Sequence, residues 1–294
     1  MKNKILIIGS LGMLGQELLK IFPDAIGIDR PSLKLRTTSA KDLDITNKAQ
    51  VENKIKELQP DIIINCAAYN AVDKCENPKE FELAKKINGD AVGYLADACL
   101  KNNIILIHFS TNYVFDGNSK DGYNEDNKPN PISKYGQTKL MGEQEILKRD
   151  NLKYYLIRLS KLFGKKGSSE VAKDNFFDVM MSAYAKASTD KKIKVVDDEL
   201  SNFTYAPDLA QVVQNLIEQN YKYGIYHIVN EDPCTWYDGA KTLFDILNRD
   251  VKLIRVDSKE FPRPAARPQY GILLNTKFPK LRSYKEALKE YLSK

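Results

Sequence analysis

The chain is poor in the residues that build metal centres and disulfide frameworks. Its 294 residues include four cysteines, two histidines and one tryptophan. Cys66, Cys75, Cys99 and Cys234 form no C-x-x-C pair, which argues against a zinc site. A chain of this size without a secretion signal is not expected to depend on disulfides, so free thiols are predicted. His108 and His227 lie inside the apolar runs HFS and YHIV and read as core histidines. So far apart, they make a poor metal or serine-hydrolase set. No apolar run reaches the roughly 18 residues that mark a membrane span. There is no internal repeat, no low-complexity tail and no basic block. The net charge of +6 therefore reads as a lysine-rich solvated surface, not a nucleic-acid site. Steering of an anionic substrate is the smaller alternative.

The start, MKNKILIIGSLGMLG, has a basic end before an apolar run, as a signal peptide does. Glycines break the run within a few residues and no small-residue cleavage site follows. A first buried β-strand explains it better, and the cytoplasm is the expected location. The composition, 43% hydrophobic and 29% charged, is that of an ordinary globular protein. The length suits one large α/β domain or a nucleotide domain with a smaller companion.

The first half alternates short apolar runs with helical spacing. Strands are predicted at 4–9, 25–30, 42–45, 61–66, 104–110 and 154–160. Helices are predicted at 13–22, 47–58, 79–102 and 133–149. Continuous apolar strands alternating with helices predict a parallel sheet covered on both faces. The fold class is therefore α/β, a Rossmann-type doubly wound sheet, with a smaller C-terminal α/β substrate domain. Residues 1–160 are assigned to the dinucleotide-binding domain and 161–294 mainly to the substrate domain. The later part carries helices at 175–188, 206–219 and 283–292 and strands at 193–198 and 224–229. The strand near 224–229 is expected to return to the first sheet, making the second domain discontinuous. The Pro- and Arg-rich stretch 257–271 reads as an ordered loop.

Gly9, Gly12 and Gly15 form a G-x-x-G-x-x-G pattern between the first strand and the first helix. Glycine there allows a tight turn and close approach of backbone to a diphosphate, and a helix N-terminus favours negative charge. Asp29 ends the second strand, where a carboxylate accepts from an adenosine ribose and favours NAD. Arg30 follows, and facing a 2′-phosphate it would favour NADP. The sequence leaves NADPH and NADH both open. Asp44 and Ile45 are placed to flank the adenine.

Tyr135 and Lys139 are one helical turn apart, on one face. A free tyrosine titrates near pH 10, and a nearby ammonium is expected to lower that value. Lys139 is also positioned to bond the nicotinamide ribose. Thr111 closes the strand 104–110, at the edge where such sheets bind ligands, and its hydroxyl is placed for a substrate carbonyl. Glycine loop, strand-end hydroxyl and Tyr/Lys helix occur in the order that a hydride-transfer site needs.

Four segments carry a family resemblance: NCAAYNAVDKCE (65–76), STNYVFDG (110–117), YGQTKLMGE (135–143) and RPQYGILLNTKF (267–278). Through them the chain resembles the extended short-chain dehydrogenase/reductases, and among these the dTDP-4-dehydrorhamnose reductases. The resemblance implies Thr111, Tyr135 and Lys139 as the catalytic set. It implies cofactor contacts at Gly12, Met13, Leu14, Asp29, Asp44, Ile45, Ala67, Ala68 and Tyr69. It implies reduction of the C4 ketone of dTDP-4-dehydro-β-L-rhamnose by a reduced nicotinamide dinucleotide. Some members of that family bind Mg²⁺ at a dimer contact. A homodimer is thus in view, but no metal site is predicted from these residues.

Two departures mark the substrate side. The family usually has Asp where this chain has Asn112. It commonly has Trp where this chain has Lys161, after Arg158, Leu159 and Ser160. Asn112 and Lys161 are therefore the candidate substrate-side residues, beside Thr111. Two other functions remain in view: a sugar-nucleotide epimerase or 4,6-dehydratase, and a non-catalytic regulatory subunit like that of methionine adenosyltransferase. Asn112-Tyr113 after the strand-end Thr counts against the dehydratase, which would be expected to carry Asp-Glu there.

Overall fold

The computed structural model describes residues 3–30, 42–186 and 192–294. The strands are β1 (Ile5–Ile8), β2 (Ile26–Ile28), β3 (Ile62–Asn65), β4 (Ile105–Thr111), β5 (Tyr154–Leu159), β6 (Leu162–Phe163), β7 (Lys192–Val196), β8 (Leu200–Ser201), β9 (Thr204–Tyr205), β10 (Gly224–His227), β11 (Lys252–Val256) and β12 (Tyr270–Gly271). The helices are α1 (Met13–Ile21), α2 (Lys48–Leu58), α3 (Pro78–Lys85), α4 (Ala91–Asn102), α5 (Lys134–Leu147), α6 (Phe176–Lys186), α7 (Ala206–Glu218), α8 (Trp236–Ile246) and α9 (Tyr284–Ser293).

Six strands form one parallel sheet in the order β10-β5-β4-β3-β1-β2. Every residue of β1 and β3 is buried, because helices cover both faces. One face packs Leu6, Ile8 and Ile63 against Val51, Ile55, Val92 and Leu95 of α2 and α4. The other packs Ile7, Ile62 and Ile64 against Leu14 and Leu18 of α1 and Leu209, Val213 and Leu216 of α7. Each such side chain contributes roughly 1.5–3 kcal/mol by leaving water. The chain therefore has the α/β doubly wound architecture. The order reverses at β1, which has β2 on one side and β3 on the other. That leaves a crevice at their carboxyl ends, where such sheets bind ligands.

A second core gathers Phe163, Phe177, Phe203, Tyr205 and Phe244 beneath α6, α8 and α9. β7 pairs with β11 in parallel, and short pairs β8–β12 and β6–β9 tie this lobe to the ends of the main strands. β10 leaves this part of the chain and pairs with β5.

Three differences from the sequence prediction have physical causes. Residues 42–45 do not form a strand; one bridge, Asp29 to Asp42, survives. The Asp44 carboxylate instead accepts from Thr46 N and Thr46 Oγ1, at 2.9 and 2.7 Å, and turns the chain into α2. The expected helix 79–102 is interrupted by a π turn at Lys86–Asp90. There Asn88 accepts from Tyr69 N and donates to Tyr69 O and Thr138 Oγ1. Finally, α8 and β11 occupy a region assigned no element. The signal for α8 was present, since Thr235 and Asp238 form a reciprocal capping box. The stretch 31–41 and the last two residues of the helix predicted at 175–188 lie outside the described residues.

Candidate active site

The glycine loop closes β1. Gly9 has φ +80°, a conformation that glycine adopts without strain, and a Cβ on it would come within 2.7 Å of Ala67 N. A Cβ on Gly15 would meet Ser10 Cα at 2.7 Å, so α1 starts close against the strand end. Gly12 caps α1 with no side-chain acceptor, which leaves the first N–H groups of the helix to a ligand or water. These features fit a dinucleotide diphosphate held by backbone. Met13 is half-buried, while the Leu14 side chain belongs to the core, so its contact with a ligand would be through the main chain. Asp29 accepts from Leu11 N at 2.9 Å and Arg30 N at 2.8 Å, tying the loop to the end of β2. Arg30 is exposed beside it, Asp44 is half-buried and Ile45 is buried in the core. Ala67, Ala68 and Tyr69 run half-buried beyond the end of β3.

Thr111, Tyr135 and Lys139 are all buried, at 7%, 8% and 2% exposure, so none is a helix-surface decoration. Thr111 ends β4, and its Oγ1 accepts from Tyr113 N at 3.2 Å and donates to Asn112 Oδ1 at 3.3 Å. Tyr135 stands in the first turn of α5, capped by Ser133 Oγ, which accepts from Gly136 N at 3.1 Å. A Cβ on Gly136 would meet Pro131 Cβ at 2.9 Å, and the missing side chain lets α5 close on the Tyr113 carbonyl. The Tyr135 ring packs edge-on against Tyr113, with centroids 5.6 Å apart. Its hydroxyl donates to Asn70 Oδ1 over a long 3.4 Å. Lys139 Nζ donates to the carbonyl of Phe109 at 2.7 Å.

The electrostatics correct one expectation. Lys139 was expected to bring the Tyr135 pKa down, but burial drives it upward; the nearby Tyr113 adds to the rise, and the neighbouring Thr111 hydroxyl opposes it. Lys139 is turned to Phe109 O and is itself lowered to about 8 by burial, with Glu143 pulling the other way. Tyr135 is therefore a protonated phenol at neutral pH, suited to giving a proton. His108 and His227 are core residues. Burial holds His108 well below its ordinary value and His227 at about 3, so both are neutral.

Sequence reasoning missed several residues that hold this set in place, although they sit inside the quoted segments. Asn70 bonds Tyr135, and Glu76 accepts from Lys134 N at 2.9 Å at the start of α5. Asp73 receives Arg267 through two bonds of 2.7 Å, plus Ala265 N at 3.2 Å. The segment after β3 thus organises both the tyrosine helix and the 263–267 loop. That loop borders a cleft of about 590 Å³ together with Glu199, Asp257, Ser258 and Gln269.

Asn112 and Lys161, the candidate substrate-side residues, each have a protein partner. Asn112 is buried, and its amide donates to the carbonyl of Gly271 at 3.1 Å, latching β4 to β12. Lys161 has φ +39° and donates to Cys234 O at 3.0 Å. Its ammonium lies 4.2 Å from the Trp236 ring centroid, and burial lowers its pKa to about 8. The Trp236 indole N–H is anchored on Glu199 at 2.9 Å. An aromatic surface is thus present here, supplied by α8 and already covered by a cation. Among the described residues, no cluster of three or more His, Cys, Asp or Glu is arranged to hold a metal. No helix among them is long and apolar enough to cross a membrane.

Comparison with known proteins gives the same picture over the whole chain. The family model described as RmlD substrate binding domain matches residues 2–294. The spore coat polysaccharide biosynthesis protein SpsK of Bacillus subtilis is 31% identical, over 99% of this chain and 97% of its own length. A dTDP-4-dehydrorhamnose reductase of Aggregatibacter actinomycetemcomitans is 33% identical, covering 93% of this chain and 91% of that protein. The crystal structure of dTDP-4-dehydrorhamnose reductase from Bacillus anthracis in complex with NADP superposes with a TM-score of 0.87. It is 34% identical and covers 100% of this chain and 99% of that one. The chain belongs to the RmlD substrate binding domain family.

Proposed function

We propose that this protein is an NADPH- or NADH-dependent oxidoreductase that reduces the C4 ketone of a nucleotide-linked 4-keto-6-deoxysugar, and that the reaction is dTDP-4-dehydro-β-L-rhamnose to dTDP-L-rhamnose. The observation that carries this reading is the buried set Thr111, Tyr135 and Lys139 at the end of β4, with Tyr135 kept protonated. The relatives named dTDP-4-dehydrorhamnose reductase and the NADP complex of one of them support the substrate class and the cofactor.

In this reading residues 1–160 mainly carry the dinucleotide and 161–294 mainly the sugar nucleotide. The backbone of Gly9, Gly12, Met13, Leu14 and Gly15 cradles the diphosphate. Asp29 and Arg30 serve the adenosine ribose, and Asp44 and Ile45 flank the adenine. Ala67, Ala68 and Tyr69 complete the cofactor side. Reduced nicotinamide, when bound, supplies the hydride.

The chain's own residues manage the charge that develops on the substrate oxygen. Tyr135 gives its proton to that oxygen as it becomes an alkoxide. Thr111 exchanges its long bond to Asn112 for one to the same oxygen, holding the carbonyl in place. Lys139 puts a positive charge beside the phenolate that Tyr135 becomes. General acid catalysis of this kind contributes roughly 10²–10⁴-fold. Asn112 and Lys161 shape the substrate side by fixing β12 and Trp236. The protein is assigned to the cytoplasm, where its four free thiols stay reduced, as a homodimer whose mass in solution is readable by light scattering.

A panel of nucleotide-linked 4-keto-6-deoxysugars with NADPH and NADH tests the reading through cofactor oxidation. Stoichiometric oxidation with one of them is expected, since an epimerase or dehydratase recycles its cofactor. No oxidation with any sugar sinks the reductase, and co-purification with a methionine adenosyltransferase would then favour the regulatory subunit.

A further inference from the structure

α5 carries Tyr135, Lys139 and Glu143 at four-residue intervals, so the three side chains line one face. Glu143 is completely buried, and Arg158 holds both oxygens of its carboxylate. Oε1 accepts from Nε at 3.0 Å and Oε2 from Nη2 at 2.7 Å. Arg158 lies on β5 directly beside Ser110 of β4, and Lys139 donates to Phe109, the preceding residue on β4. One buried carboxylate therefore has two buried cations near it, Arg158 in contact with it and Lys139 one helical turn away on the same helix. The proton-transfer chemistry uses Tyr135 and Lys139 and gives Glu143 and Arg158 no task. As a stability device the pair is a poor choice, because apolar side chains of similar volume are often as stable.

We propose that Glu143 is a positioning residue that keeps Lys139 charged, and that Arg158 keeps Glu143 itself ionised by holding its carboxylate. The inference rests on the reductase reading of Tyr135 and Lys139. Burial by itself favours the neutral amine, and an opposite charge nearby favours the ammonium.

The other groups around α5 do not supply that charge. His108 on β4 and His227 on β10, behind Arg158, are neutral. Tyr113 and Cys75 are held in their neutral forms by burial. Glu76 sits at the first turn, on Lys134 N. Glu80 of α3 is bound by the Tyr69 hydroxyl. Lys86 and Asp90 of the π turn are exposed. Asp97 of α4 and Glu145 bind Arg149 at the far end of α5. Glu143 is the fully buried carboxylate of this set. Arg158 supplies the counter-charge without which a buried carboxylate takes up a proton.

The test is the titration midpoint of Lys139, read twice. One reading is carbon-13 NMR of labelled lysine in the ligand-free protein, with the resonance assigned by its loss in Lys139→Met. The other is the alkaline limb of the kcat/KM profile. The wild-type midpoint is expected at about 8. In Glu143→Gln it should fall by about one pH unit or more; in Arg158→Met it should also fall, because the buried carboxylate left without its guanidinium takes up a proton, and the double variant should fall as well. A pair that merely packs would lower kcat in all three and leave the midpoint where it was, which overturns the proposal. Should Glu143→Gln fail to fold, Arg158→Met decides alone, and an unmoved midpoint there also overturns it. If the wild type oxidises no cofactor, the reductase reading fails while the NMR titration still judges Glu143.

Discussion

Arg267 grips Asp73 with two guanidinium bonds of 2.7 Å, joining residues 194 positions apart. The contact couples the segment that supports Tyr135 to the loop that borders the cleft. Asp73 is 41% exposed, so the pair contributes little to global stability, about 1 kcal/mol or less. Its value lies in geometry. Arg267→Ala is expected to lower the melting temperature by only a few degrees while kcat/KM drops about tenfold or more, because misplacing a positioning group costs rate steeply. Steady-state kinetics beside a thermal melt separate the two; equal, small effects on both would contradict the coupling.

Tyr135→Phe removes the hydroxyl proposed as proton donor and keeps the ring packed on Tyr113. A rate loss of about 10²–10⁴-fold with unchanged dinucleotide affinity is the expected result. Fluorescence titration of NADPH supplies the binding half of the test. Near-normal turnover would refute the role assigned to Tyr135.

Asn112→Asp replaces a donor with an acceptor, opposite the Gly271 carbonyl that Asn112 now satisfies. The resulting buried carboxylate has lost its donor role and is expected to cost about 1–3 kcal/mol at neutral pH. Its pKa should rise in the folded state, since only the protonated acid can donate to Gly271. Part of the lost stability should therefore return as pH falls through that raised value. Denaturant unfolding at two pH values measures this. An Asp variant as stable as the wild type at neutral pH would show that the latch does not matter.

His227 is buried and neutral, with a pKa held at about 3 against an ordinary 6.5. Between those values the unfolded chain takes a proton that the folded one refuses, so stability rises with pH and is lost on acidification. The slope from this one residue approaches about 1.4 kcal/mol per pH unit. His227→Gln should flatten the loss between about pH 6 and pH 3, compared with its own stability at pH 7. A wild type and variant with parallel pH profiles would rule out His227 as a source of acid sensitivity.

The periodicity of the first 160 residues was enough to predict the strand and helix alternation, because fully buried parallel strands read as unbroken apolar runs. The glycine spacing marked the turn at β1 for an equally local reason: Gly9 sits at a positive φ. The i, i+4 spacing placed Tyr135 and Lys139 on one face. These are short-range properties, set within a few residues by backbone sterics and hydrophobic pattern.

Tertiary structure decided which charges those side chains meet. It gave Lys139 the Phe109 carbonyl and raised Tyr135 by burial, where spacing alone suggested a lowered phenol. It set Lys161 against Trp236, 75 positions away, and gave the Asn112 amide the Gly271 carbonyl. It also joined Asp73 to Arg267 and Glu143 to Arg158. Pairings across such separations leave no periodic signal in the chain, and desolvation depends on every element packed around a group. The sequence by itself determined the sheet, the loop and the pairing of Tyr135 with Lys139 on one helix face; only the packed structure decided their protonation and their partners.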